Sequence, residues 1–218
     1  TLTRSSAASD VYKRQGRDFN ISKSENGFIQ YQDDLGELVL PEPNLLGDHQ
    51  LYNISTSIIS SRKMFDVKGD TIKKGIQKIA LKGRLQEIKE GRLKDIAHDN
   101  RLVIDGGHNI SAALSIAKWI GSQNVEVNII CGMLNDKDHV DFMKCFEGKI
   151  KSATLVDIPH QENSIDKKEL KKKCANLNIN FKTADSIEQS IKLNSSNQNT
   201  ITLIVGSLYL VGEILNLN

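Results

Sequence analysis

Cysteine is scarce in this 218-residue chain, and what there is stands alone. Cys131, Cys145 and Cys174 are widely spaced, with no CxxC and no Cys/His pairing, so neither a disulfide framework nor a zinc site can be read from them. A reducing cytoplasm is the default setting for such a chain. No apolar run reaches the roughly 18 to 20 residues that a membrane-spanning helix needs, and no basic start leads into a short apolar core as in a signal peptide. The expectation is a soluble, unexported protein with no membrane partner. Charge of one sign is also missing: the net charge is +2, with acidic and basic residues interspersed, which excludes a nucleic-acid partner recognised through a strong field. A phosphate loop of the form GxxxxGK[ST] is absent, and the nearest fragment, "EGKIKS", lacks both the leading glycine and the hydroxyl after Lys149. The chain has no initiator methionine, and residues 1–15, "TLTRSSAASDVYKRQ", are polar and free of pattern. We expect a truncated reading frame whose residues 1–15 are a non-native or disordered tail.

What remains has 39% apolar residues, enough for ordinary globular cores. From Gly16 to about Leu40, "GFIQYQ" and "GELVLPEP" carry β-type residues between turn signals, which predicts antiparallel strands with no obvious core of their own. Residues 49–62 and 69–80 repeat apolar residues at spacings of three and four, which predicts two amphipathic helices. "ALKGRLQEIKEG" then breaks at Gly83 and supplies a strand. After Asn100 the alternation becomes regular. The predicted strands are "RLVID", "VEVNIIC", "SATLVDI", "INFKT" and "TITLIVG", and helices follow each of them. This predicts an open, mainly parallel α/β sheet with helices on both faces, over residues 81–218, after a first region at 16–80.

Ligands of such sheets bind beyond the carboxyl ends of the strands, and the loops there are "DGGHN", "CGMLNDKD", "DIPHQENS" and "GSLY". In "DGGHN" Asp105 closes a strand, Gly106 and Gly107 permit a tight turn or a close approach, and Asn109 is a helix N-cap candidate that leaves His108 at the helix mouth. The same residues also serve if they merely satisfy loop and helix-end donors, and the residues alone leave both readings open. Asp136, Lys137, Asp138, His139 and Asp141 cluster without a metal-ligand spacing, so no metal is named and helix capping with surface charge is favoured. "GSLYLVG" is not a GxSxG nucleophile elbow, and Ser207 reads better as a strand-to-helix cap.

Taken in order, "GDHQLYN", "GRLQ", "DGGHN" and "GSLYLVGE", with "GMLNDKD" between the last two, resemble folylpolyglutamate synthase and its bifunctional dihydrofolate synthase form, within the Mur ligase superfamily. The likeness covers roughly Gly16 to Asn218. It implies a Rossmann-like C-terminal domain at 81–218, preceded at 16–80 by the end of the central ATP-binding domain. It also implies a reaction in which ATP, with Mg2+, phosphorylates the carboxylate of dihydropteroate or of a folate, after which the amine of L-glutamate displaces phosphate. Triphosphate, metal, carboxylate and amine must then be held together away from water, as a cleft between closing domains can do. By the resemblance, Asn53 hydrogen-bonds the adenine, Arg84 reaches the phosphates and Asp105 contacts the nucleotide at its ribose. An amide matches a purine edge, a guanidinium matches phosphate oxygens and a carboxylate accepts from hydroxyls. His108 faces the glutamate or the phosphate as the candidate catalytic residue, and Ser207 is a candidate substrate contact.

This chain departs from the family pattern at Gly107 and Ile110, where alanine and proline are frequent, and at Leu81 and Lys82, where an aromatic-proline pair precedes "GR". The phosphate loop, the Mg2+ ligands and most of the folate pocket are expected upstream of Thr1, so the chain alone is not expected to turn over. Monomer is the default state, since no long exposed apolar face demands a partner. Two other readings remain: another Mur-type amide ligase, and a non-catalytic α/β nucleotide-binding module.

Overall fold

The computed structural model describes residues 15–24, 26–43, 45, 48–195 and 200–218. Residues 1–14 of the expected tail, and residues 196–199, lie outside the described residues, whereas Gln15 bridges to Phe19. The chain divides into two compact units, one ending at Ala80 and the other running from Leu81 to Asn218.

In the first unit β1 (Phe19–Lys23), β2 (Phe28–Asp33) and β3 (Gly36–Pro41) form an antiparallel sheet in that order. Along β2 the residues alternate strictly: Ile29, Tyr31 and Asp33 point inward, while Phe28, Gln30 and Gln32 face out. The two helices are α1 (Asp48–Phe65) and α2 (Gly69–Gln77). Contrary to the expectation that these strands lack a core, Phe19, Ile29, Tyr31 and Leu40 pack with Ile54, Ile58 and Ile59 of α1 and Ile72 and Ile76 of α2. Each isoleucine so buried contributes roughly 1.5–3 kcal/mol. Arg62 of α1 closes the β2–β3 turn. It pairs with the fully buried side chain of Asp33 at 2.9 Å and donates to the Leu35 and Gly36 carbonyls at 2.9 and 3.1 Å. Tyr31 Oη donates to the other Asp33 oxygen at 3.0 Å, and burial, with that carboxylate, pushes the phenol far above its ordinary range.

The second unit contains a six-stranded sheet in the order β4-β5-β9-β6-β7-β8. Its strands are β4 (Gln86–Ile88), β5 (Arg101–Ile104), β6 (Val127–Cys131), β7 (Ser152–Leu155), β8 (Phe181–Thr183) and β9 (Ile201–Val205). Five run parallel, and β4 is antiparallel to β5 at one edge. β6 and β9 are buried at every position, as strands covered on both faces must be. One face, with Val103, Ile129, Leu155 and Leu203, is covered by α4 (Ile110–Gly121), α5 (His139–Lys144) and α6 (Lys167–Lys173). The other, with Leu102, Ile104, Ile130 and Ile204, is covered by α3 (Arg92–Ala97), α7 (Ile187–Asn194) and α8 (Leu208–Leu217). This is an open, mainly parallel α/β sheet with helices on both faces. Neighbouring strands β5 and β9 send their following helices, α4 and α8, to opposite faces. That divergence is a topological switch point, where α/β sheets open a crevice at their carboxyl ends.

Candidate functional site

The switch point is built from "DGGHN" after β5 and "GS" after β9. Asp105 is 4% exposed, and its backbone N–H continues the ladder to the Ile204 carbonyl at 2.9 Å. Its two carboxylate oxygens accept from the Leu85 N–H at 2.9 Å and the Gly107 N–H at 2.7 Å. Hydrogen bonds to a charged acceptor contribute roughly 1.5–3 kcal/mol each. Leu85 has a left-handed backbone, φ 45°, a conformation that costs a residue with a Cβ about 1–2 kcal/mol. Gly83, two residues earlier, is left-handed as well, at φ 67°, and its carbonyl accepts from Gly106 N–H at 2.9 Å. Arg84 therefore sits in a turn fastened on both sides to the end of β5. It is half-buried, and its Nη1 donates to the Gly83 carbonyl at 3.3 Å.

The glycine pair works through space rather than through special dihedrals, since left-handed φ values occur at other glycines and at neither of these. A Cβ at Gly106 would run into Leu208 of α8 and come within 3.1 Å of Arg84 Nη1. One at Gly107 would lie 2.8 Å from Ile116, 2.9 Å from Ala112 and 2.9 Å from the Asp105 carboxylate. Of the tight turn and the close approach that the sequence offers, the close approach is the one seen, and this chain's own atoms make it. Gly206, at φ 109°, donates its N–H to the Gly107 carbonyl at 2.9 Å and ties the two loops together.

His108 is half-buried, and its Nδ1 lies 2.9 Å from the Gly106 carbonyl. A carbonyl only accepts, so that nitrogen carries the proton in the neutral ring, which leaves Nε2 as the acceptor. Asn109 caps α4 by accepting from Ala112 N–H at 2.9 Å, and Ser207, 3% exposed, caps α8 by accepting from Tyr209 N–H at 3.0 Å. Arg84, Asp105, His108 and Ser207 are thus brought to the carboxyl ends of two adjacent strands. Asn53 belongs to the first unit, exposed on α1, with its amide donating to Gln50 at 3.1 Å.

The loops after β6 and β7 complete this end of the sheet. His139 is buried with Nε2 2.9 Å from the Leu134 carbonyl, and Asn135 and Ile165 bind the two loops to each other through backbone bonds to Asn163 and Met133. The Lys137 ammonium, 2.9 Å from Asp136, holds that carboxyl below the usual aspartate range, and His108 acts in the same direction. Lys167 bridges Asp157 at 3.1 Å and Asp185 at 2.9 Å. Among the described residues no three His, Cys, Asp or Glu side chains gather as a metal site. Two open cavities, of about 610 Å³ beside Arg92, His98 and Lys192 and about 160 Å³ over Asn20, Gln30 and Glu37, lie at other residues. Sequence reasoning missed Leu85 and Gly206: neither a left-handed leucine nor a bond between two loops a hundred residues apart leaves a local signal.

Residues 91–217 match the family model described as dihydrofolate synthetase, C-terminal domain. A probable dihydrofolate synthetase of Schizosaccharomyces pombe is 24% identical over 223 residues, covering 90% of this chain and 50% of that protein. A dihydrofolate synthase/folylpolyglutamate synthase of Haemophilus influenzae is 27% identical over 164 residues, 68% of this chain and 38% of that protein. Among solved structures, Mycobacterium tuberculosis folylpolyglutamate synthase complexed with ADP and AMPPCP superposes with a TM-score of 0.81 at 19% identity, over 94% of this chain and 49% of that one. E. coli FolC in complex with DHPP and ADP gives a TM-score of 0.77 at 22% identity, over 93% of this chain and 46% of that one. These structures share the fold, and the chain spans about half the length or less of the curated relatives it matches.

Proposed function

The chain belongs to the dihydrofolate synthetase family, and from that premise we propose that it supplies the carboxyl-terminal share of an ATP-dependent ligase. The ligase joins L-glutamate to dihydropteroate, to the γ-carboxylate of a folate, or to both. Bound ATP supplies the phosphoryl group that converts the acceptor carboxylate to an acyl phosphate, from which the glutamate amine displaces phosphate. The observation that carries the reading is Arg84, half-buried in a turn that is fastened on both sides at a topological switch point.

A guanidinium held in place there neutralises phosphate oxygens without reorganising at the moment of transfer. Asp105 is assigned to the ribose, since a carboxylate accepts from hydroxyls. Asn53 is assigned to the adenine. His108 Nε2 is the acceptor left over after Nδ1 is engaged, a group able to take a proton or orient the incoming glutamate. Ser207, although its oxygen caps α8, keeps a hydroxyl proton for the substrate. The donor set fits a nucleotide. It does not fit a divalent ion, so no Mg2+ ligand is assigned to the described residues. The first unit is read as the end of the central ATP-binding domain, and residues 81–218 as the C-terminal ligase domain. The same reading takes Mg2+ as the ion, a monomer as the working state and the cytoplasm as its location. No helix among the described residues is long and apolar enough to cross a membrane.

The test is ADP formation by the full-length protein that carries this sequence. It should require L-glutamate together with a pteroate or folate acceptor; ADP formation with muramyl substrates instead would overturn the assignment.

A further inference from the structure

We propose that Asp105 is a positioning residue for Arg84: its carboxylate holds the Gly83–Leu85 turn in the conformation that presents the guanidinium at the mouth of the sheet. The inference rests on the reading of Arg84 as a phosphate contact and adds a role for Asp105 that direct contact with a nucleotide does not require. Asp105 is 4% exposed, with one oxygen on Leu85 N–H and the other on Gly107 N–H. A carboxylate serving a ligand alone has no need to bind two amides that are 22 residues apart along the chain. Leu85 is the residue of the turn that most needs holding. It is left-handed at φ 45° despite its Cβ, while its side chain is 1% exposed in the core, so the backbone cannot relax without withdrawing that side chain. The Gly106 to Gly83 bond fastens the other side of the turn, and Arg84 stands between the two fastenings.

Asp105→Asn keeps the volume but presents an NH2 to one of the two amides, so one bond must break. By amide exchange on this chain, Leu85 or Gly107 should exchange about tenfold faster or more, while Ile129 and Leu203 in the central ladder stay as in wild type. Wild-type exchange at both amides would overturn the clamp. Inorganic tripolyphosphate, which has no ribose, is the second probe. It should shift the Arg84 Nε–H resonance of wild type, and in Asp105→Asn should bind about tenfold more weakly or worse, with the Arg84→Ala/Asp105→Asn pair no weaker than Arg84→Ala. Unchanged tripolyphosphate binding with weakened ATP binding would make Asp105 a ribose contact and refute the positioning role. Should wild-type Arg84 ignore tripolyphosphate, the phosphate reading of Arg84 fails, and amide exchange still decides the clamp. If Asp105→Asn does not fold, through-hydrogen-bond couplings from the Leu85 and Gly107 nitrogens to Asp105 Cγ in wild type decide it, their absence overturning the clamp.

Discussion

Gly206→Ala is the substitution for which the structure predicts the largest effect at the switch point. Gly206 has φ 109°, and a Cβ there would lie 2.6 Å from the Gly132 carbonyl oxygen, 2.9 Å from Met133 Cγ and 3.0 Å from Cys131 Sγ. The dihedral alone costs a residue with a Cβ about 1–3 kcal/mol. Overpacking against a backbone carbonyl, which cannot swing aside, adds about 1–3 kcal/mol. The sum, about 2–6 kcal/mol, is a large share of the stability of about 5–15 kcal/mol typical of a domain. Trp119, the chain's single tryptophan, packs in the core of the same unit, so its fluorescence reports the unfolding of this unit in urea. With a urea slope of about 2 kcal/mol per molar, the middle of the usual range, the midpoint should fall by about 1–3 M. Gly212→Ala is the control. It lies inside α8 with nothing within 4 Å of its Cβ position, and should be neutral or stabilising by up to about 1 kcal/mol. A Gly206→Ala midpoint indistinguishable from wild type would refute the geometry assigned to the β9–α8 junction.

Arg62→Met in the first unit leaves the Asp33 carboxylate buried, with its partners from Tyr31 and Leu35 but no cation, and should cost about 3–5 kcal/mol by thermal unfolding in circular dichroism; a loss below about 1 kcal/mol would show the pair to be dispensable. Thr202 Oγ1 is buried without a partner among the described residues, so Thr202→Val should be neutral or stabilising by up to about 1 kcal/mol in the Trp119 titration, and clear destabilisation would reveal a partner for the hydroxyl. Lys167, hydrogen-bonded to Asp185 and Asp157, has its pKa raised, while Asp185, hydrogen-bonded to Lys167, has its own lowered. Their contribution should be present between about pH 4 and pH 10, lost below as the carboxylate protonates and above as the ammonium deprotonates. NMR titration finding Asp185 at or above the ordinary aspartate value would contradict the pairing.

The alternation of strands and helices after Asn100 is legible because the central strands there are short apolar runs and four of the helices open on a residue whose side chain caps them. Asn109 and Ser207 show this, since both cap the helices that their residue types predict. α3 escapes such reading because six residues between Gly91 and His98 are too few for a helical period. The core of the first unit escapes it for another reason. Ile29 and Tyr31 alternate with polar neighbours, and only the isoleucines of α1 and α2, brought from 20 to 50 residues away, cover them. At the site, Arg84 and Asp105 are reached only through the family likeness that "GRLQ" and "DGGHN" carry in order, since the residues alone leave Asp105 open between a ligand contact and loop capping and give Arg84 no role. The bond between Asp105 and Leu85 depends on β4 pairing antiparallel to β5, with Gln86 opposite Ile104, and that register is set by tertiary packing.

On the proposed reading, the carboxyl-terminal mouth of this sheet, headed by Arg84, holds the phosphates of a nucleotide. Calorimetric titration of ADP into the full-length protein and its Arg84→Ala variant should find affinity lowered about tenfold or more in the variant, as loss of a charge-assisted phosphate contact requires, with its unfolding unchanged. Equal affinity in the two proteins would overturn the assignment of Arg84 to the phosphates.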